Sequence, residues 1–247
     1  MPTRFYQESL IEMDRALDAL SALVRPPRAV PFKDSFVYRY VEQLPEQAIV
    51  QKLARLPSGL RAAHLLLDAG LFQEQAALQR LIDEIGEDIT FLSIPRMYGG
   101  ETSLHTEYLQ AFFAEEFDPA TGLPTAQDRP MVRRKKIRAY IAQSPIGTPN
   151  PSGHIGATRT LSKAYSGYVH AASPQIMDMY GGDPPRFHTR GMSGTPREAE
   201  HRQDIANYFY RSVSAFAIAA RALGHQPLFD HLFAHCCEYE AVMGIRE

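Results

Sequence analysis

The stretch TPREAEHRQDIANYFYRSVSAFAIAARAL, residues 195–223, decides the fold class. Thr195 stands where a helix N-cap belongs, Pro196 takes the first helical position with its φ already set, and Glu198 follows the cap by three residues. Gly224 comes next, the residue that most easily turns left-handed past a helix end. This spacing predicts one long helix to Leu223 and, behind the turn, a last helix from Pro227 to Val242.

Helical periodicity recurs toward the N-terminus. Leu10, Ile11, Leu17, Leu20, Leu23 and Val24 mark a first helix over Gln7–Val24, stopped at Arg25-Pro26-Pro27. From Asp34 to Leu92 the chain is helix-rich, cut by Pro45, Pro57 and Gly70 into Gln47–Leu56, Leu60–Asp68 and Leu71–Leu92; Pro95 is the expected stop. Further helices are expected over Ser103–Phe117, Val132–Gln143, Ile155–His170 and Ser173–Tyr180, between loops rich in proline and glycine. No alternating β-branched run is present. The expectation is an all-α fold of about seven to nine helices, a single domain over residues 1–247 whose core spans 34–223.

Composition narrows the setting. The 247 residues are 45% hydrophobic and 22% charged, and accessible-area scaling lets a chain of this size bury roughly 70% of its unfolded surface. Cys236 and Cys237 are adjacent and cannot staple a fold, which points to a reducing, cytoplasmic location. Glu8, Glu12 and Asp14 lie where a signal peptide needs a basic start and an apolar run, and no stretch reaches eighteen apolar residues, so no membrane partner is expected. The 26 basic and 28 acidic side chains give a net charge of −2. Arg133, Arg134, Lys135, Lys136 and Arg138 place five positive charges in six positions, and the rest of the chain then carries −7. Such a cluster can hold the phosphates of a nucleotide or nucleic acid, or form an ordinary solvated helix face.

Three constellations could carry chemistry. Arg159, Lys163, Ser166 and His170 recur at helical steps and present two cations, a hydroxyl and an imidazole on one face, fit for phosphate binding or acid/base work. The plainer alternative is that His170 only ends its helix. Gly167 within that helix implies a close neighbour. His231 and His235, spaced i and i+4 with Glu238 a turn later, could ligate Zn²⁺ with a carboxylate or Cys236 as third ligand, and would make the chain a metal-dependent hydrolase. The alanine-rich run Ala215–Ala220 offers a dimerisation face, and with it a scaffold role. Phosphate loops and nucleophile elbows are missing from the sequence, none of Glu74, Glu84, Glu107 and Glu115 belongs to a Glu-x-x-His pair as a di-iron bundle requires, and no cofactor is expected.

The patch Ala164-Tyr165-Ser166-Gly167-Tyr168-Val169-His170 before Ser173-Pro174, together with Leu78-Gln79-Arg80-Leu81-Ile82-Asp83-Glu84, resembles a family of bacterial helical proteins of unknown function. That family is distantly similar to the HEPN group of nucleotide-binding and ribonuclease domains. The resemblance covers roughly Leu60–His170. It implies a helical bundle, with Arg80, Glu84 and Tyr165 beside Arg159 and Lys163 as binding residues and His170 and Ser166 as catalytic candidates. HEPN ribonucleases carry an arginine and, after four to six intervening residues, a histidine. Here Arg197–His201 and Arg221–His225 have three intervening residues, and His170 has no arginine within six residues upstream, which argues against that nuclease.

Overall fold

Helix α8 (Glu198–Ala222) is the axis of the molecule: it packs against α1 (Pro2–Ser21), α2 (Pro45–Asp68), α3 (Phe72–Tyr98) and α9 (Gln226–Met243). The computed structural model describes residues 2–125, 131–147, 160 and 162–243, with side chains described from residue 4 to 242 within those bounds. Among them, α4 (Ser103–Phe113), α5 (Arg134–Gln143), α6 (162–169) and α7 (Ser173–Met177) complete nine helices, and the all-α class holds. The buried cluster runs from Tyr6 and Met13 on α1 through Leu53 and Leu60 on α2 and Ile82 and Phe91 on α3 to Phe209 and Phe216 on α8 and Tyr239 on α9.

Several boundaries differ from expectation, each for a physical reason. Pro57 does not break α2. Leu53, Leu56 and Leu60 continue its buried stripe across the proline, and this packing outweighs the ~3 kcal/mol that an interior proline costs. Pro95 likewise lies inside α3, whose end is set by Gly99 at φ 74°, with Phe91, Leu92 and Ile94 all buried just upstream. The start of α8 slips to Glu198. Thr195 spends its hydroxyl on the Met192 carbonyl (2.7 Å), while Glu198 reaches back to the Gly194 N–H (2.7 Å).

Residues 34–39, expected within the helix-rich region, instead form part of an antiparallel hairpin, β1 (Arg28–Phe32) with β2 (Ser35–Arg39). It turns at Lys33, whose φ is 51°. A shorter pair, β3 (Tyr180–Gly181) with β4 (Arg186–Phe187), precedes α8. The expected helix from Ile155 begins outside the described residues; 162–169 are helical, and Gly167 lies against the Gln175 side chain, the close neighbour its presence implied. Among the described residues no helix is long and apolar enough to cross a membrane.

Candidate functional site

One face of α3 carries Asp83, Glu84, Glu87 and Asp88, a paired i, i+1, i+4, i+5 spacing that groups four carboxylates on neighbouring turns. Such a face is stable only against opposite charge, and α5 supplies it. Arg134 and Arg138, one turn apart, lie over the stripe. Asp88, only 2% exposed, accepts from Lys52 Nζ of α2 at 2.7 Å and from Arg134 through both guanidinium nitrogens, and Arg138 Nε donates to Glu87 Oε1 at 2.8 Å. Burial alone would push the Asp88 carboxyl up; Lys52 and Arg134 outweigh it and hold the group below the usual carboxylate range.

Beside this charged seam a cavity of about 360 Å³ opens between α3, α5, α6 and α8. Its walls are apolar at Ile82, Ile141, Ile146, Ala215 and Ile218, and polar where Arg80, Asp83, Glu84, Glu87, Arg138 and Arg211 converge with Tyr165 and Tyr210. The three guanidinium groups are matched to the three carboxylates: Arg80 with Glu84 (3.2 Å), Arg138 with Glu87 (2.8 Å) and Arg211 with Asp83 (2.8 Å). Burial, with the Glu87 charge adding to it against the pull of Arg211, pushes Asp83 up to about 6. Burial raises Glu87 too, opposed by Arg138 and Arg134. Tyr165 donates to Asp204 Oδ2 at 2.6 Å, and its phenol is driven well above the ordinary range by burial.

Gly86 lines the same cavity in the middle of α3. Glycine there costs about 1 kcal/mol relative to alanine, and the usual structural reason is a crowding neighbour. Nothing among the described residues lies within 4 Å of a methyl group built on Gly86, so no packing among them accounts for it.

The structure brings together part of the expected set. Arg80, Glu84 and Tyr165 share the cavity wall, so residues of both patches of the family resemblance line it, and Arg80 Nη1 donates to the Ser162 carbonyl at 2.9 Å, two residues before the second patch. Lys163 and His170 are exposed, Ser166 is half-buried, and none of the three lines the cavity. Arg159 lies outside the described residues. Arg134 is turned inward onto Asp88, leaving Arg133, Lys135 and Lys136 as the exposed remainder of the basic segment, with Lys136 3.9 Å from Glu107.

The His231–His235–Glu238 arrangement does not converge. His231 Nε2 lies 2.8 Å from Glu12 and His235 Nε2 3.0 Å from Ser9, so each imidazole is engaged by α1, and Glu238 is exposed. Among the described residues no three His, Cys, Asp or Glu side chains gather as a metal site requires. The pair Arg197–His201 also parts: His201 is buried against Phe72 with Nδ1 2.9 Å from Gln75 Oε1, while Arg197 faces Asp178 and Glu200. Ala215, Ala217, Ala219 and Ala220, expected as a dimer face, are buried inside the monomer because α8 is its axis.

Sequence reasoning missed Asp83, Glu87, Arg138 and Arg211 as members of one site. The charge complementarity of DExxED on α3 with RKKIR on α5 was the signal available for the first three. No protein-family model matches this chain, and neither a curated protein nor a solved structure shows significant similarity to it. Fold and geometry together define a helical protein with one charged, apolar-walled cleft among its described residues.

Proposed function

We propose that the chain is a binding protein for a small organic molecule held in the cleft between α3, α5, α6 and α8. The observation that carries this is the cleft itself: about 360 Å³, within the range of small-molecule sites, apolar-walled, with converging polar groups and an unfilled space over Gly86. Arg80, Arg138, Arg211 and Tyr165 are each held by a contact from another element, so that part of the wall is preorganised rather than loose. The HEPN-like, bacterial character of the chain belongs to the same proposal, supported by Arg80 and Glu84 of one patch and Tyr165 of the other lining one cavity. A cytoplasmic location is supported by the two free cysteines.

A leucine at position 86 puts a side chain into the cleft at a point where nothing among the described residues lies within 4 Å of its Cβ. In a thermal-shift screen of small organic compounds, compounds that raise the Tm of the wild type are expected to lose that effect in Gly86→Leu while the variant stays folded. Hits that stabilise both proteins equally contradict the site.

The expected phosphate-bearing ligand fits the cleft less well, because a phosphate would have to draw Arg80, Arg138 or Arg211 away from the facing carboxylate. A nucleic-acid reading is favoured by a different observation. Arg133 and Lys135 are exposed and have no ion-pair partner among the described residues. Salt-dependent retention on immobilised RNA, lost in the Arg133→Ala/Lys135→Ala variant, supports it, and absence of retention at low salt removes it.

A further inference from the structure

Two buried atoms of residues that line the cleft bear on the chemistry its ligand brings. Glu87 binds Arg138 through Oε1, but its Oε2 is buried without a hydrogen bond, and Arg134 Nη1, at 4.0 Å, is too far to donate. Ser212, 2% exposed, also lines the cavity, and its Oγ is buried with no partner. An ionised carboxylate can only accept, and a serine hydroxyl can accept as well, so the ligand group missing here is a donor. The cations already present do not fill that role, since Arg80, Arg138 and Arg211 are each matched to a carboxylate. An anion brings no donor and a neutral hydroxyl brings one to two open acceptors, whereas a primary ammonium brings three. Beyond the carboxylates the wall is aliphatic, at Ile141 on α5 and Ala215 and Ile218 on α8.

Resting on the cleft as a ligand site, we propose that it takes an alkyl ammonium: a primary amine on an apolar body, its N–H groups donating to Glu87 Oε2 with Ser212 Oγ as the second acceptor. The body lies along Ile141, Ala215 and Ile218, and the open space over Gly86 admits it.

The test compares hexylamine, 1-hexanol and hexanoate, one six-carbon chain with three head groups, titrated into ¹⁵N-labelled protein while the amides of Gly86, Gly147 and Ala215 are followed. Hexylamine is expected to bind at least tenfold more tightly than 1-hexanol, with hexanoate weakest. Glu87→Gln, which keeps an oxygen for Arg138, is expected to bring hexylamine down to the level of 1-hexanol. If the alcohol or the carboxylate binds as tightly as the amine in the wild type, the ammonium assignment is overturned and the cleft stands. If none of the three moves those amides, the cleft reading falls with it. The wild-type comparison decides the matter even if the Glu87 variant does not fold.

Discussion

At the scale of single residues, the cleft rests on groups held away from their solution behaviour. An aspartate in an unfolded chain titrates near 3.9, whereas burial pushes Asp83 up to about 6 in the fold. Between those values the folded protein keeps a proton that the unfolded chain has released. Asp83 therefore adds stability below pH 4, and that contribution is lost as the pH rises toward 6. Carboxyl ¹³C shifts are expected to give Asp83 a midpoint near pH 6 and, because Arg211 lowers it, a still higher midpoint in Arg211→Ala. A midpoint near 4 in the wild type means the carboxyl is solvated and the site is not as described. Gly86 gives a second residue-scale expectation. With nothing in the way of a methyl group among the described residues, Gly86→Ala should stabilise the protein by about 1 kcal/mol in urea unfolding, as helix propensity alone dictates. A destabilised alanine variant would show that protein atoms occupy the space. Arg80, Glu84 and Tyr165 were legible in the sequence through their two patches. Asp83 and Arg211 were not, because their partnership joins residues 83 and 211, which only the packing of α3 on α8 brings together.

At the scale of elements, α5 shows why a charge run is a poor guide to partners. Its four cations and Arg133 at its N-cap look like a phosphate-binding strip, yet Arg134 and Arg138 face inward, and it is their pairing with α3, along with buried Ile137 and Ala142, that docks the helix. Lys52–Asp88–Arg134 is the innermost part of that dock. Asp88→Ala leaves two cations facing each other with no carboxylate between them and is expected to cost about 3–5 kcal/mol in chemical denaturation, with faster amide exchange in α5. A loss under 1 kcal/mol would mean the pairs are solvated surface contacts. The helical stripes of α2, α3 and α8 could be read because burial repeats every three to four residues. The hairpin could not: its strands are largely exposed, so no alternation between core and solvent marks them, and its turn at Lys33-Asp34 lacks the glycine or asparagine that usually signals a two-residue reversal. The prolines at 57 and 95 misled for the opposite reason, since the core across each is strong enough to carry the helix through.

At the scale of the whole molecule, α8 is both the axis of the core and one wall of the cleft. One face sends Phe209, Phe216 and the alanines into the interior, and Tyr210, Arg211, Ser214 and Ile218 line the cavity. The cleft is thus walled by the same helix that anchors the fold. The openness of that space can be measured directly. With Cys236 and Cys237 replaced by serine, Gly86→Cys places a single thiol over the cavity, and pentyl methanethiosulfonate adds a five-carbon chain to it. The expected result is stoichiometric addition to the folded protein, read by intact mass, with the Tm unchanged or raised. A thiol that stays unmodified until urea unfolds the chain would contradict an open ligand cleft between α3, α5, α6 and α8.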